Sequence, residues 1–159
     1  MSKLFSSEDF REVMGKFATG VTVVTTPADN GIHGMTANAF MSVSLDPPLV
    51  LVSVDKRANT HRHIPVAKCF GVNILRYDQR DISNHFAGKV DLDVERKVTY
   101  THIDNIPVMT DCLASIACRL WAKYDGGDHS LFVGEVVDLN VNGGDPLLFF
   151  QSSYRRLGS

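Results

Sequence analysis

Residues 114–140 decide the fold, and they read ASIACRLWAKYDGGDHSLFVGEVVDLN. In the first half, apolar side chains occupy the even-numbered positions, whereas Ser115, Arg119 and Lys123 occupy odd-numbered ones. This period of two predicts a strand with one solvent-exposed face. A glycine-rich turn at 126–128 follows, and apolar odd-numbered positions, interrupted by Glu135, predict a returning strand. The stretch therefore predicts two neighbouring antiparallel strands.

Strand-forming residues recur on both sides of this stretch. Residues 21–26 are all Val or Thr, whose β-branched side chains favour strands. Asn30-Gly31 indicates a tight turn, after which residues 33–37 form the predicted returning strand. Apolar runs predict further strands at 49–54, 70–75 and 147–150, the first two of them buried and central. Six or seven strands predict a mainly β fold, an antiparallel barrel.

The predicted helices are few and short. Ser6 and Ser7, followed by two acidic residues, are typical of a helix start. Apolar residues at 10, 13, 14 and 17 would share one face of this helix, which Gly20 would end. Two more short helices are predicted at 58–66, interrupted by Pro65, and at 79–86.

The composition excludes several classes of protein. The chain has 159 residues, of which 44% are hydrophobic and 21% charged, and it predicts a single domain spanning 1–159. With 16 Lys and Arg against 18 Asp and Glu, it lacks the basic excess of a nucleic-acid binder. Its acidic N-terminal residues lead us to expect no signal peptide, and no apolar run of about 18 residues occurs. Three cysteines without a Cys-x-x-Cys spacing predict reduced thiols. We therefore expect a cytoplasmic protein that binds neither nucleic acid nor membranes.

Familiar cofactor and catalytic motifs are missing from the sequence. Neither the Gly-x-Gly-x-x-Gly of a Rossmann unit nor a Walker-type phosphate loop occurs. The pair His61-x-His63 has no third ligand nearby, so solvated helix histidines are the preferred interpretation and no metal site is expected. No nucleophile elbow supports a hydrolase.

Four polar segments could carry chemistry. Residues 34–44 combine small, amide and hydroxyl side chains, which suit the close approach of a flat ligand. Residues 55–60 lead from a buried strand into a helix, where amides, hydroxyls and cations could bind phosphate. Residues 86–89 place a glycine beside a cation, and Gly127-Asp128-His129 supplies an imidazole. Taken singly, a strand crossover, a capped helix start and solvent-exposed turns explain the same residues.

The order of these segments along the chain matches a known family. The matching pieces are MGKFATGVTVVTT (14–26), HGMTANAFMSVSL (33–45), PLVLVS (48–53), VNIL (72–75), ISNHFAGK (82–89), GDHSLFVGEV (127–136) and PLLFF (146–150). With them the chain resembles the short-chain flavin reductase family, the reductase components of two-component flavin-dependent monooxygenases. It is most similar to those that serve phenol and hydroxyphenylacetate hydroxylases.

This resemblance implies a fold, an activity and partners. The fold would be an FMN-binding split β-barrel, with Greek-key strand order and a few short helices, usually in a homodimer. The activity would be reduction of FAD or FMN with NADH or NADPH. The reduced flavin would pass to a separate oxygenase component, here an aromatic hydroxylase of the phenol type.

The resemblance also implies which residues contact the cofactors. Those beside the isoalloxazine would be Thr36, Ala37, Asn38, Ala39, Phe40, Ser42 and Val43. Those beside the ribityl and phosphate groups would be Ser53, Val54, Asp55, Lys56, Ala58, Asn59 and Thr60. The outer part of the flavin would contact Phe86, Ala87, Gly88 and Lys89. His129 would contact the nicotinamide, and Tyr154 would lie where the C-terminal tail closes near the site. Asn59 stands where many relatives carry serine, which alters the reach of its polar group.

The expected chemistry belongs mainly to the cofactors. Hydride would pass from nicotinamide C4 to flavin N5, and the protein would hold the rings about 3–3.5 Å apart. Amides of Asn38 and Ala39 would stabilise negative charge at flavin N1–C2=O. His129 would orient the nicotinamide, and no residue is assigned as acid or base. Two alternatives stay open, a non-catalytic flavin-binding electron carrier and an oxidase of the pyridoxamine-phosphate type. The Gly127-Asp128-His129 turn favours the reductase over the electron carrier. Against the oxidase, the chain lacks a basic cluster that would bind a second phosphate substrate.

Overall fold

A computed structural model describes residues 4–158, and strands dominate this range. The α-helices in it are α1 (Ser7–Gly15), α2 (Asn59–Ala67), α3 (Arg80–Phe86) and α4 (Leu92–Lys97), with a 3₁₀ turn at Tyr77–Gln79. The strands are β1 (Thr19–Gly20), β2 (Thr22–Ala28), β3 (Gly31–Ala37), β4 (Phe40–Leu45), β5 (Pro48–Asp55), β6 (Cys69–Ile74), β7 (Tyr100–Ile103), β8 (Ile106–Met109), β9 (Ala114–Gly126), β10 (His129–Val141), β11 (Leu148–Phe150) and β12 (Ser153–Arg155). The predicted mainly β class with short helices is confirmed.

The main sheet has seven antiparallel strands in the order β3-β2-β6-β9-β10-β5-β4. Laid flat, it would hold its outermost strands about 29 Å apart, since neighbouring strands lie about 4.8 Å apart. Yet β3 and β4 are those outermost strands, and only Asn38 and Ala39 separate them along the chain. Such a link spans at most about 11 Å between Ala37 and Phe40. The sheet must therefore curl until its two edges almost meet, which makes it a barrel with a gap between β3 and β4.

Two smaller sheets complete the fold. One, in the order β1-β11-β12, brings the C-terminal part of the chain against Thr19 and Gly20. The other is the hairpin of β7 and β8, which packs against β6 and β9 through Cys69, Ile106 and Ala117. The first sheet packs on the main sheet through Phe149 and Tyr154, which contact the cluster of Val23 and Leu75.

The barrel interior is filled by side chains from strands distant in sequence. Val24, Val52, Phe70 and Phe132 are completely buried there, and Ile64 of α2 packs against them. A second cluster, with Val23, Leu75 and Leu147, lies beneath α3 and the C-terminal strands. The β-branched residues predicted for β2 thus supply both clusters, because alternate side chains leave a strand on opposite faces.

The long hairpin of β9 and β10 is present, but its predicted faces are wrong in part. Ser115 and Ala117, on the face expected to meet solvent, are buried because the β7–β8 hairpin covers that end of β9. In β10, Phe132 is completely buried, whereas Leu139 at an odd position is 64% exposed. Phe132 lies before both register shifts, so even-numbered positions face the interior from the start of β10. The shift at Val133/Gly134 reflects an extra residue in β9, Trp121, and that at Val136/Asp138 an extra residue in β10, Val137, and each β-bulge exchanges the two faces of its own strand.

Other predicted elements need smaller corrections. β5 is not central, because it lies second from the edge of the sheet and buries only alternate side chains. α1 begins as predicted after Ser6, whose hydroxyl accepts a hydrogen bond from Asp9 N at 3.0 Å, but it ends at Gly15 and not at Gly20. Pro65 lies inside α2 and does not interrupt it. The sequence patterns predicted neither α4 nor the β7–β8 hairpin.

None of the helices between residues 4 and 158 is long and apolar enough to cross a bilayer. The same part of the chain contains no group of three or more His, Cys, Asp and Glu side chains placed to hold a metal ion. His61 and His63 do not behave as solvated helix histidines. His61 bonds to Ser130, and the His63 ring lies 5.3 Å from that of His33.

Candidate functional site

A cleft of about 690 Å³ opens at the gap between β3 and β4. We call it the seam cleft. It includes Asn38, Ala39, Phe40 and Ser53, all predicted from the sequence to border a flavin. Its full lining is Met14, Phe17, Ala18, Thr19, Gly20, Val21, Thr22, Asn38, Ala39, Phe40, Met41, Leu51, Ser53 and Ile74. A mostly apolar wall with a few polar groups suits a flat aromatic ligand with polar edges.

Backbone groups at the seam are arranged asymmetrically. The carbonyl of Ala39 accepts a hydrogen bond from Ser53 N, and that of Asn38 accepts one from Phe40 N, both at 3.0 Å. By contrast, within residues 4–158 the N–H groups of Asn38 and Ala39 meet no protein acceptor. The link between β3 and β4 therefore offers free donors beside the cleft, which a ligand carbonyl or ring nitrogen could accept.

Two hydroxyl groups in the described part of the chain are buried without a hydrogen-bond partner. One is Thr19 Oγ1, on the wall of the seam cleft. The other is Thr60 Oγ1, in the first turn of α2, where Ala58 supplies no side-chain cap. A buried polar atom without a partner costs about 1–3 kcal/mol, and an uncapped helix start leaves amide donors free. Both features fit a polar ligand that reaches from the seam cleft to α2.

The segment between β5 and α2 carries ion pairs. Arg57 binds the carboxylate of Asp55 at 2.8 Å, and Lys56 binds Asp125 at 2.5 Å. The hydrogen bonds from Arg57 hold the pKa of Asp55 well below its usual range. Because three of these four side chains are solvent-exposed and such pairs are weak in water, an incoming phosphate could compete for both cations.

His129 lies next to this segment, although more than seventy positions separate them in sequence. It pairs with Asp55 in the register of β10 and β5, and Lys56 N donates to Asp128 O at 3.0 Å. Its Nδ1 lies 2.7 Å from Asp128 Oδ1, and this hydrogen bond lowers the pKa of Asp128. Two of the predicted cofactor segments, 53–60 and 127–129, thus meet at one end of the barrel.

A third group of predicted residues surrounds α3. The Phe86 ring packs against β3 at Gly34, and the Thr36 hydroxyl donates to Ser83 O at 2.6 Å. Tyr154 OH lies 2.7 Å from Ser83 Oγ. The hydroxyls of Thr36 and Tyr154 are therefore engaged within the protein, where they join β3, α3 and β12.

The remaining predicted residues fall in different surroundings. Val54 is completely buried, so its side chain belongs to the barrel interior. Ala37 ends β3, whereas Ser42 and Val43 are exposed on β4 beside a register shift. Ala87 and Gly88 are exposed after α3, and Lys89 lines a separate hollow with Asp91 and Arg96. Asn59 is the exposed first residue of α2.

Sequence reasoning missed one wall of the seam cleft. Met14 and Phe17 come from α1 and the residues that follow it, and Leu51 comes from β5. Thr19 was missed because the helix was expected to continue to Gly20, which would have placed Thr19 on a helix and not at the cleft. The signal available was Gly15, which ends α1 five residues earlier.

Comparisons with known proteins agree on one family. Residues 14–158 match the family model described as flavin reductase like domain. The chain is 43% identical over 150 residues to an NADH-dependent flavin reductase of a Rhodococcus species, covering 92% of this chain and 84% of the relative. It is 41% identical over 155 residues to the reductase component of 4-hydroxyphenylacetate 3-monooxygenase from Thermus thermophilus, covering 94% and 96% of the two chains.

Solved structures give the same result. A flavin reductase in its native state superimposes with a TM-score of 0.90 at 46% identity, covering 98% of this chain and 100% of that one. An NADH:FAD oxidoreductase of Streptomyces globisporus, solved with NAD and FAD fragments, gives 0.87 at 35% identity, with 99% and 98% coverage. The predicted split-barrel fold is therefore confirmed.

Proposed function

The chain belongs to the flavin reductase like domain family, and from that membership we propose how its residues carry out NADH-dependent flavin reduction. The protein reduces FAD or FMN with NADH and releases the reduced flavin to a separate oxygenase component. One structural observation supports the assignment: β5 pairs with both β4 and β10, contributes Leu51 and Ser53 to the seam cleft, and places Asp55 opposite His129. A flavin and a nicotinamide could share this part of the barrel without separate domains.

The seam cleft would hold the flavin ring. The N–H groups of Asn38 and Ala39 would donate to its polar edge, and Phe40 would pack against it. The unpartnered hydroxyl of Thr19 would gain a hydrogen bond on binding. When bound, the flavin supplies a hydride acceptor at N5 and NADH supplies the hydride. The protein's share is to align the rings, to exclude water from the cleft and to stabilise negative charge with the two amides.

The start of α2 would hold the flavin phosphate. Its free amides, the positive end of the helix dipole and the Thr60 hydroxyl all favour an anion there. Lys56 and Arg57 would turn from their exposed carboxylate partners toward the phosphate. Ser53 would lie between the ring and this end. Asn59, which replaces the serine common in relatives, would reach the phosphate through its amide.

His129 would orient the nicotinamide. Its ring is held by Asp128 and half-buried beside Asp55, so it offers a directed donor or acceptor at Nε2. Nothing in this arrangement requires His129 to transfer a proton. Phe86, Gly88 and Lys89 would meet the outer part of the flavin, including the adenylate when FAD is bound.

The active form is proposed to be a homodimer. Four apolar side chains of α1 and its continuation, those of Phe10, Val13, Met14 and Phe17, are at least half exposed beside the seam cleft. The edge strand β4 adds exposed Met41, Val43 and Leu45. A second copy that covers this surface would close the cleft over the flavin. Light scattering should therefore show a dimer, and a fully active monomer would contradict this part of the proposal.

The function is tested by mixing the purified protein with NADH or NADPH and with FAD, FMN or riboflavin, and following the loss of nicotinamide absorbance. We expect rapid oxidation of NADH that depends on added flavin, and transfer of reduced flavin to an oxygenase such as an aromatic hydroxylase. A cytoplasmic location, where NADH is available, is part of the same proposal. Flavin binding without NADH oxidation would instead indicate an electron carrier.

A further inference from the structure

A partly buried hydrogen bond joins α2 to β10. His61 Nε2 of α2 lies 2.8 Å from Ser130 Oγ of β10. Ser130 is 2% exposed, and the His61 ring packs edge-on against Phe132 with 5.5 Å between ring centroids. A hydrogen bond sheltered in this way is stronger than one in water, and it holds its two elements in a fixed relation.

Both partners stand next to residues that the proposed function assigns to cofactors. Thr60, at the proposed phosphate site, precedes His61, and His129, at the proposed nicotinamide site, precedes Ser130. Successive side chains leave a strand on opposite faces, so His129 and Ser130 point in opposite directions. A contact that fixes the Ser130 side chain inside the barrel therefore also sets the direction in which the His129 side chain points away from β10.

The outer part of the turn that carries His129 is exposed, and the Lys56–Asp125 ion pair at 2.5 Å is one contact that holds it. Residues Gly126, Gly127 and Asp128 are exposed, and Gly127 has a φ of +80°. The backbone bond from Lys56 N to Asp128 O ties the turn to the end of β5. The His61–Ser130 bond supplies the side-chain anchor directly behind it.

We propose that His61 is a positioning residue for nicotinamide binding: through Ser130 it ties the His129 turn to the start of α2, so that His129 keeps the direction in which it meets the nicotinamide. This inference rests on the proposed function. His61 need not touch either cofactor for this role.

The charges around His61 suit a neutral ring. Lys123 of β9 and Lys56 of the segment before α2 face it, opposed by Asp55 of β5. Burial, and after it the two lysines, lower the pKa of His61. The ring is therefore neutral at neutral pH and bonds to Ser130 without adding a positive charge near the cofactors.

The test replaces each partner in the full-length protein. His61→Phe and Ser130→Ala should each raise the KM for NADH by about fivefold to tenfold, the range expected for one hydrogen bond, with a smaller effect on kcat. The flavin dissociation constant should change by less than about twofold.

His61→Gln, whose amide reaches the former Nε2 position, should restore most of the affinity for NADH. The double variant should be no worse than either single variant, because both remove the same bond.

His63→Phe is the matched control, since it changes the same helix at a ring that lies 5.3 Å from His33 of β3, and none of the hydrogen bonds found for β10 involves it. It should leave the KM for NADH unchanged. If it raises this KM as much as His61→Phe does, the effect is a general disturbance of α2 and the inference is wrong. An unchanged KM in Ser130→Ala also overturns it, even if His61→Phe does not fold. A different result would contradict the proposed function itself: a wild-type protein that does not oxidise NADH with any flavin.

Discussion

The Phe86 ring occupies the space that a side chain at Gly34 would need. A Cβ built on Gly34 would lie 2.6 Å from Phe86 Cε1, closer than packed carbon atoms ever approach. Gly34 lies within β3 and Phe86 ends α3, so this contact sets how closely the helix sits on the barrel. The absence of a side chain at Gly34 is thus what lets the Phe86 ring, and with it the end of α3, pack closely on β3.

Gly34→Ala should displace the Phe86 ring. We expect a loss of stability of about 1–3 kcal/mol, as for other overpacked sites, together with weaker binding of FAD. Thermal unfolding and fluorescence titration with FAD would measure both. Gly143→Ala is the control, because a Cβ there meets no atom within 4 Å. Equal effects of the two substitutions would show that the space beside Phe86 is not limiting.

Thr19→Val should weaken flavin binding without weakening the fold. The valine keeps the shape of threonine and removes a buried hydroxyl that no protein group satisfies, so the stability of the free protein should stay equal or rise. Flavin affinity should fall by about fivefold. Thr26→Val is the control, because the Thr26 hydroxyl does have a partner: it donates to Cys69 O at 3.0 Å, away from the cleft. It should lower stability and leave flavin affinity unchanged.

Val13→Glu should dissociate the proposed dimer. Val13 is 68% exposed within one chain, so the substitution removes little packing from the monomer. A charge placed inside an apolar interface would oppose association. Light scattering should show a smaller particle and the assay lower activity, with the circular dichroism spectrum unchanged. Glu12→Ala, one residue away on α1, should remain dimeric.

The three cysteines should resist alkylation in the folded protein. All are buried, and burial raises the pKa of the Cys118 thiol to about 12 and that of Cys112 to about 11. Folding thus favours the neutral thiols, and this contribution to stability is complete below the ordinary thiol pKa and is lost as pH rises toward the folded values. Mass spectrometry after iodoacetamide treatment should find labelling only in urea or in strong alkali. Rapid labelling of Cys118 at neutral pH would contradict this.

Tyr154→Phe should loosen the C-terminal strand from α3. The phenol lies 2.7 Å from Ser83 Oγ and 3.2 Å from Asn84 Oδ1, and removing it should cost about 1–2 kcal/mol. Hydrogen exchange should speed up at the amides that end α3, such as Lys89 N, which donates to Asn84 O. Tyr124→Phe, at an exposed position of β9, should change neither quantity.

The strands of the barrel were predictable because their signals are local. The β-branched run of β2, the Asn30-Gly31 turn and the alternation in β9 each predict structure from adjacent residues. The β-bulges at Trp121 of β9 and Val137 of β10 were not predictable, because a register shift depends on the partner strand. The short strands β7 and β8 carry no period, and their packing against β9 is what buries Ser115.

The candidate site was proposed from the resemblance more than from the chemistry of its residues. Asn38, Ala39, Phe40 and Ser53 do meet at one cleft, although their residue types alone would fit an ordinary crossover. The contribution of α1 could not be foreseen, since amphipathic helices usually turn the apolar face inward, whereas Phe10 of α1 and Phe17 just after it are exposed. Only the three-dimensional arrangement reveals that this face borders the seam cleft.

Because of the two-residue link between β3 and β4, the seam cleft lies apart from the packed interior that stabilises the protein. Since the cleft lies where the sheet is not hydrogen-bonded, a ligand can enter without any space being cut from the packed interior around Phe70 and Phe132. The exposed side chains that line the opening, such as those of Phe17 and Met41, can therefore change size or polarity while the interior keeps its packing. A barrel of this design can adapt to a different flavin at little expense to its stability.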